Sequence, residues 1–528
     1  MKLFFFISTL VISLIINEAY AQKLNYEISD NPSRMFELKN YQRAKELYRK
    51  KYKQDLSDKK IKYRFGICLV YTYELADGIK TLEAVANSPS TPIEVWYHLA
   101  RGYHLYNRYD KAISLYKKYI GLSGAKPALI IEAERNIAMC GNAKIIVKYP
   151  LNLKFENLGK RVNSKGKEYL PLITPDESML FYTTRRLGTT GRVFDLEGYY
   201  TADIYFSKFK YGKWSKARSI GSPNSYGNEQ TAGISEDGKT IFYYVNNPQS
   251  KNNLQISTKS KSSFKRAIKI ESKEINNNSG IQSSATISNN KDYIIFSSDK
   301  EEGGMGKSDL YICKKLPNGE WAKPMNMGST INSIYDESYP YLCDNGMTLY
   351  FSSTGHNSIG GYDIFVSHFD LAKKEWGKPS NVGYPLNTPQ NNIAVSFSTN
   401  KKYAYVATHR KDSYGDLDIY KVDFINTPPS YTVIKGYVLD ADSTTINGPL
   451  SIEIFDKKTD ELYGIFEVNP QNGKYIMALP PNTYEINIDI PEKGYFKKAL
   501  VVAGRNKYKK ERKQNITVTF ESTQNNEL

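Results

Sequence analysis

The sequence predicts three folded modules in series: an α-helical repeat array, a five-bladed β-propeller and a C-terminal β-sandwich. Three observations predict them. Small and aromatic residues recur at helical spacing with a 34-residue period near the N-terminus, and an Asp-Ile/Leu-Tyr/Phe phrase recurs about every 54 residues in the middle. Beyond residue 431, short apolar runs alternate with polar residues. A chain of 528 residues has length for several domains at roughly 150 residues each. Hydrophobic residues make up 40%, and the mean hydropathy is -0.53. That supplies packed cores and excludes a helical membrane bundle.

The strongest apolar run is the first, residues 3–16, between Lys2 and Ala19-Tyr20-Ala21. As a helix it spans about 21 Å, short of the ~30 Å hydrocarbon core. Small residues at 19 and 21 suit signal peptidase, so residues 1–21 are expected to be a signal peptide cleaved after Ala21. Residue 22 is Gln and offers no thiol for a lipid anchor. The expected location is the periplasm, at most peripheral to the outer membrane, with no transmembrane segment in the mature chain.

Cys68, Cys140, Cys313 and Cys343 form no CxxC pair, and the five histidines are scattered. No zinc spacing and no cofactor motif are present, so no cofactor is expected. The cysteines are expected to be buried thiols, Cys68 and Cys140 being the pair to bridge if any does. The formal charge is +17, and residues 22–149 carry 23 Lys or Arg against 13 Asp or Glu. A basic face attracts anionic partners. Export makes nucleic acid the wrong anion and leaves acidic surfaces of envelope proteins, lipid headgroups or cell-wall polymer, with glycan or peptidoglycan contact, unless the charge is only that of a solvated helical surface.

In residues 22–145, Trp96-Tyr97-His98-Leu99-Ala100-Arg101-Gly102-Tyr103, with Ala112 and Tyr116, places small residues where two helices approach and aromatic ones between them. A shift of 34 puts Phe65, Gly66, Leu69, Gly78 and Leu82 in the same slots, and another shift Ala44 and Tyr48. Ala133 and Ile137 continue the period as a closing helix. This stretch resembles tetratricopeptide repeats. The resemblance implies a small peptide groove lined by Tyr63, Glu94, Tyr97, Arg101 and His104. As ordinary solvated positions on a helical spacer, the same residues would bind nothing.

From residue 146 to 425 helical periodicity gives way to short strands. Asp203-Ile204-Tyr205, Asp309-Leu310-Tyr311, Asp363-Ile364-Phe365 and Asp418-Ile419-Tyr420 lie 106, 54 and 55 residues apart, with a degenerate copy at Leu254-Gln255-Ile256. Trp214, Trp321 and Trp376 end their units, Phe264 standing in the equivalent place. Turns such as Glu236-Asp237-Gly238, Asn289-Asn290 and Asp344-Asn345-Gly346 join strand pairs. Five units of four strands read as a propeller. The last unit lacks its terminal strand, so residues 145–155 are expected to supply it and lock the ring. The unit is similar to WD40-like, TolB-type repeats. Aspartates recurring at one position in four blades are read as pins within each blade, not as catalytic acids.

Residues 426–430, Asn-Thr-Pro-Pro-Ser, form a stiff linker. Beyond it, 432–439, 450–455, 475–479, 484–490 and 515–520 alternate like strands, predicting a sandwich over 431–521 and a tail over 522–528. Gly436-Tyr437-Val438-Leu439-Asp440 and Asn472-Gly473-Lys474-Tyr475 resemble the carboxypeptidase regulatory-like domain. The whole order resembles periplasmic multidomain envelope proteins of Bacteroidota related to OmpA-family and type IX secretion-associated proteins, without the OmpA-like domain. The basic run at 505–513 reads as a charged hairpin loop.

No GxSxG elbow, HExxH helix, Walker loop or dinucleotide glycine pattern appears, and Gly303-Gly304-Met305-Gly306 falls between strands. The expected function is a non-enzymatic scaffold or adaptor between envelope proteins, associated with type IX secretion or gliding. The alternative is a carbohydrate-binding or glycoside-hydrolysing propeller, marked by two non-repeated carboxylates roughly 5 to 10 Å apart in an aromatic-lined cleft.

Overall fold

A computed structural model describes residues 30–519, apart from 195–197, 236, 247–252, 261–262, 271, 273–274, 277–281, 289, 300–302, 344–345, 399–401, 426–431, 447, 481, 492 and 503–510. The expected signal peptide, linker and tail lie outside the described residues, as does most of the basic run. The chain divides into two compact units, Met1–Phe424 and Ile425–Leu528.

Seven helices open the first unit: α1 (Pro32–Glu37), α2 (Tyr41–Gln54), α3 (Lys59–Tyr71), α4 (Leu75–Ala86), α5 (Val95–Leu105), α6 (Tyr109–Ile120) and α7 (Pro127–Ile146). Asn31, Asn40 and Asp58 cap the first three, each side chain accepting backbone N–H bonds from the first turn. Gly66 and Gly78 let α3 and α4 pack closely. A Cβ at Gly66 would lie 2.8 Å from the Leu82 side chain, and one at Gly78 2.9 Å from Val70. Ala100, Ala112 and Tyr116 are fully buried in the same core.

Two expectations about fold class are corrected. The helices do not stand as a tetratricopeptide solenoid of their own: their hydrophobic core takes in Ile359 from the propeller, and helices and propeller form one compact unit. The 34-residue spacing reports how one helix packs on the next and is blind to a larger surface against which the array lies. Nor is the C-terminal module a sandwich. Strands β24 (Thr432–Leu439), β25 (Leu450–Asp456), β26 (Leu462–Val468), β27 (Lys474–Leu479), β28 (Asn482–Ile490), β29 (Gly494–Val502), β30 (Glu511–Lys513) and β31 (Ile516–Thr517) form one eight-stranded sheet, a half-barrel. Pairing of β25 with β28, Ile452 opposite Ile488, joins what would be two sheets into one. Alternation along a strand marks its buried face and leaves the pairing of its edges open. The inward face carries Ile434, Ile452, Ile454, Met477, Tyr484 and Ile486, all buried.

After the helices, the first unit continues as a five-bladed propeller of antiparallel sheets. Blade 1 is β2 (Glu168–Ile173), β3 (Met179–Thr184), β4 (Asp203–Lys210), β5 (Lys213–Trp214) and β6 (Arg218–Ser219). Blade 2 is β7 (Asn228–Ile234), β8 (Thr240–Asn246), β9 (Asn253–Ser260), β10 (Ser263–Phe264) and β11 (Ile268–Lys269). Blade 3 is β12 (Gln282–Ile287), β13 (Tyr293–Ser298), β14 (Asp309–Lys314) and β15 (Met325–Asn326), followed by the short helix α8 (Gly328–Ile331). Blade 4 is β16 (Glu337–Cys343), β17 (Thr348–Ser353), β18 (Asp363–Asp370), β19 (Glu375–Trp376) and β20 (Ser380–Asn381). Blade 5 is β21 (Ser396–Phe397), β22 (Tyr403–Thr408) and β23 (Asp418–Phe424), completed by β1 (Leu153–Asn157) from upstream. Leu153 pairs with Phe424 and Asn157 with Tyr420, so the ring is closed by backbone bonds between distant segments.

Each blade is pinned by the same polar set. An asparagine amide brackets the backbone N–H and C=O of the apolar residue in the repeated phrase: Asn163 on Ile419, Asn224 on Ile204, Asn276 on Leu254, Asn332 on Leu310 and Asn387 on Ile364. The repeated aspartates accept N–H bonds from the loop before them, Asp203 from Thr190, Asp309 from Met305, Asp363 from Ile359 and Asp418 from Tyr414. Glu168, Glu229 and Glu337, all fully buried, each hold the serine four residues earlier. Buried polar groups need such partners. Cys68, Cys140, Cys313 and Cys343 are buried thiols with no disulfide between them.

Candidate functional site

The helical layer lies over one end of the propeller and meets the loops of blades 4 and 5. His104 donates from Nε2 to the Ile359 carbonyl at 2.8 Å, Asn142 donates to the Ser358 carbonyl at 3.0 Å, and Arg135 donates to that of Thr354. Tyr73 stacks on His409, ring centroids 5.9 Å apart. Two cavities remain between these contacts. One of about 220 Å³ is lined by Tyr97, Arg101, His104, Glu132, Arg135 and their neighbours. The other, about 310 Å³, is lined by Lys167, Tyr169, Arg185, Gln230, His409 and Asp416, among others. Tyr73, Gln390 and Asn391 line both, so the two adjoin as the halves of the space between helices and propeller.

Three of the five residues singled out from the sequence thus meet in the smaller half: Tyr97, Arg101 and His104. Tyr63 is buried beside His98, ring centroids 6.4 Å apart, and lines neither half. Glu94 also stays outside, its carboxylate 2.8 Å from Lys126 Nζ. Gln390, Asn391 and Asp416 were missed because no local motif links a helix to loops more than 200 residues away; Arg135, one 34-residue period after Arg101, and Lys167 were missed because neither sits in a motif.

Burial sets the electrostatics. It pushes His98 down to about 3 and His104 down to about 4, so both rings are neutral at pH 7. Tyr97 is raised by burial, and its hydroxyl donates to Glu132 Oε2 at 2.6 Å. Burial also works against the Arg101 charge, but Tyr71, Tyr116, Tyr97 and Tyr73 around it raise its pKa above the ordinary value. The Arg101 guanidinium lies 4.7 Å from the centre of the Tyr71 ring.

At the axis the inner strands bulge. Register breaks fall between Tyr169 and Leu172, Thr231 and Gly233, Gln282 and Ser284, and Ser338 and Tyr341. Leu170, Tyr339 and Ala394 take left-handed φ of 51°, 56° and 58°. Tyr169, Leu170, Ala394 and Ala407 pack together there, with Tyr339 against them. The axis beneath the cleft is therefore filled by side chains from matching places in several blades. Glu168 and Glu337 are occupied as pins, and among the described residues the carboxylates lining the cleft are Glu132, on α7, and Asp416, whose counterparts in the other blades are not acidic. Asp416 is 3.5 Å from Lys167 Nζ and accepts from the Tyr199 hydroxyl.

The neutral His104 makes the helical contact sensitive to acid. Its pKa of about 4 in the fold lies below the ordinary 6.5, so unfolded chain takes up a proton that folded chain refuses. The stabilisation is fully present above pH 6.5 and is lost as pH falls towards 4, a gap worth on the order of 3 kcal/mol. His98 acts in the same sense, whereas Asp203, pushed up to about 6 by burial, opposes it. His104→Gln keeps a donor and removes the titration. Its thermal midpoint is expected to fall less than that of the wild type between pH 7 and 5; parallel falls would show His104 to be undocked.

No family model and no curated protein matches the chain. Among solved structures it is similar to one titled "Glycoside hydrolase", at 9% identity and a TM-score of 0.38, over 55% of this chain and 96% of that one. It is also similar to the endo-arabinase from Bacteroides thetaiotaomicron, at 13% and 0.32 over 51% and 97%, and to the RRP9 WD40 repeats, at 9% and 0.27 over 51% and 97%. At these scores the likeness assigns no residue a role. The expectation of a chain without enzymatic activity is withdrawn: the propellers it is similar to include one titled "Glycoside hydrolase" and an endo-arabinase, and the likeness itself is one of fold alone. The carbohydrate alternative is the reading carried forward.

Proposed function

We propose that the chain binds a carbohydrate in the cleft between its helical layer and the propeller, as an exported envelope protein. The observation that supports this is the cleft's lining. Tyr73, Tyr169, Gln230, Gln390 and Asn391 line it, aromatic residues suited to the C–H side of a sugar ring and amides suited to its hydroxyls. Aliphatic lining is confined to Leu105, Met139, Pro389, Ile393 and Leu417, too little for the apolar anchors of a peptide. Among the described residues no helix is long and apolar enough to cross a membrane.

Calorimetric titration of the full chain with a panel of neutral and acidic oligosaccharides tests the reading. At least one is expected to bind, and Gln230→Ala and Gln390→Ala are each expected to weaken it about tenfold, the loss of one or two hydrogen bonds. Binding by none, or binding that neither substitution alters, would overturn it. Glycoside hydrolysis is a second reading, favoured by Glu132 and Asp416 as the non-repeated carboxylates of the cleft. New reducing ends in the same mixtures, lost in Asp416→Asn, are its expected sign; their absence removes it.

A further inference from the structure

We propose that the smaller half of the cleft is a carboxylate-binding subsite built on Arg101, so that the carbohydrate taken there is acidic and carries a uronate. The inference rests on the carbohydrate reading above. Among the described residues Arg101 makes no hydrogen bond and no ion pair, and its Nε is buried without a partner. The Tyr71 ring lies beside it, its centre 4.7 Å from the guanidinium. A cation over an aromatic face is worth about 0.5–2 kcal/mol, whereas taking a guanidinium out of water unpaired costs several. The ring by itself does not account for a charge placed here.

The neighbouring groups leave that charge unanswered. The Glu132 carboxylate, on the rim of the same cavity, accepts from the Tyr97 hydroxyl and forms no ion pair with Arg101. His104 is neutral and faces the Ile359 carbonyl. Arg135 adds a second guanidinium to the lining. It lies 3.8 Å from the Tyr335 ring centre, donates one bond to Thr354, and keeps a buried Nε without a partner. Two guanidiniums line one small polar space, which suits a planar anion that accepts from a donor fork. The space of about 220 Å³ is roughly seven times the volume of a liquid water, room for the carboxylate-bearing end of one sugar residue. Tyr73, Gln390 and Asn391 continue into the larger half, where the rest of the chain of sugars would lie.

The test compares a uronate-containing oligosaccharide with its carboxyl-reduced, neutral counterpart, titrated into the full-length wild type, Arg101→Gln and Arg135→Gln. The wild type is expected to prefer the uronate by about tenfold or more. Arg101→Gln is expected to bring uronate affinity down to that of the neutral sugar, and a cooperative thermal transition near that of the wild type reports that the variant is folded. Should Arg101→Gln fail to fold, Arg135→Gln and competition by free glucuronate against the wild type carry the test, both expected to lower uronate binding. Equal affinity of the wild type for the two sugars would overturn this inference and leave the carbohydrate reading standing. Failure of both sugars to bind, with other neutral sugars failing too, would overturn that reading instead. Preference for a sulfated sugar or an acidic peptide over the uronate would also overturn it.

Discussion

Asn163→Ala is expected to open the ring. The Asn163 amide accepts from the Ile419 N–H at 2.9 Å and donates to the Ile419 carbonyl at 3.0 Å and to Asn157 Oδ1 at 2.8 Å. It ties the last blade's third strand to the chain just after the strand that completes that blade. Alanine leaves the buried Ile419 N–H without its acceptor and loosens Asn157, which itself donates to Asp418 at 2.8 Å. Orphaning a buried backbone donor and losing two further bonds costs on the order of 2–4 kcal/mol. Hydrogen exchange should locate the loss, with amides in residues 153–157 and 418–424 exchanging faster than those of blade 3. Asn224→Ala removes the same bracket from Ile204 in blade 1. It should lower stability and leave residues 153–157 protected. Equal protection of those residues in both variants would show that the closure does not depend on Asn163.

A larger effect is expected from Gly233→Ala. Gly233 sits at the bulge of β7, where the inner strands of blades 2 and 3 come together. A Cβ there would lie 1.6 Å from the carbonyl oxygen of Ala285. The obstacle is backbone, so no side chain can swing aside and the two strands must separate. That loss exceeds about 4 kcal/mol, and the variant is expected to accumulate without a cooperative thermal transition. Gly319→Ala is the contrast. Gly319 lies in a turn at φ +85° with nothing within 4 Å of the added carbon, so its cost is confined to the left-handed backbone, about 1 kcal/mol. A Gly233→Ala protein melting near the wild type would mean that the blades do not meet as closely as the Ala285 carbonyl requires.

The repeat was legible because each blade repeats its chemistry at a fixed distance from itself. Asp309, Asp363 and Asp418 mark corresponding strands, and each accepts from the loop a few residues before it. The closing strand was legible because the last repeat lacked one, although the paired segment is Leu153–Asn157 and residue 146 still belongs to α7. The half-barrel was not legible: Ile452 and Ile488 show alternation in both architectures, and their pairing depends on strand edges that carry no residue code. The cleft was legible only in part. Tyr97, Arg101 and His104 were found on one helix, while Gln390 and Asn391 reach them from a propeller loop that no helical period describes.

The order of local units, their spacing and the polar pins that hold each blade were determined by the sequence alone, because those interactions span a few tens of residues and recur. Which surface the helices cover, and what they enclose there, was decided only by the tertiary structure. The contact of His104 with Ile359 joins residues 255 positions apart, and nothing within either segment specifies the other until both are packed. The unpaired charge of Arg101 follows from that meeting. In an isolated helix its guanidinium would be hydrated; here Tyr71, Tyr73, Tyr97 and Tyr116 crowd it and the propeller loop carrying Gln390 and Asn391 closes the cavity it lines, leaving it half-buried.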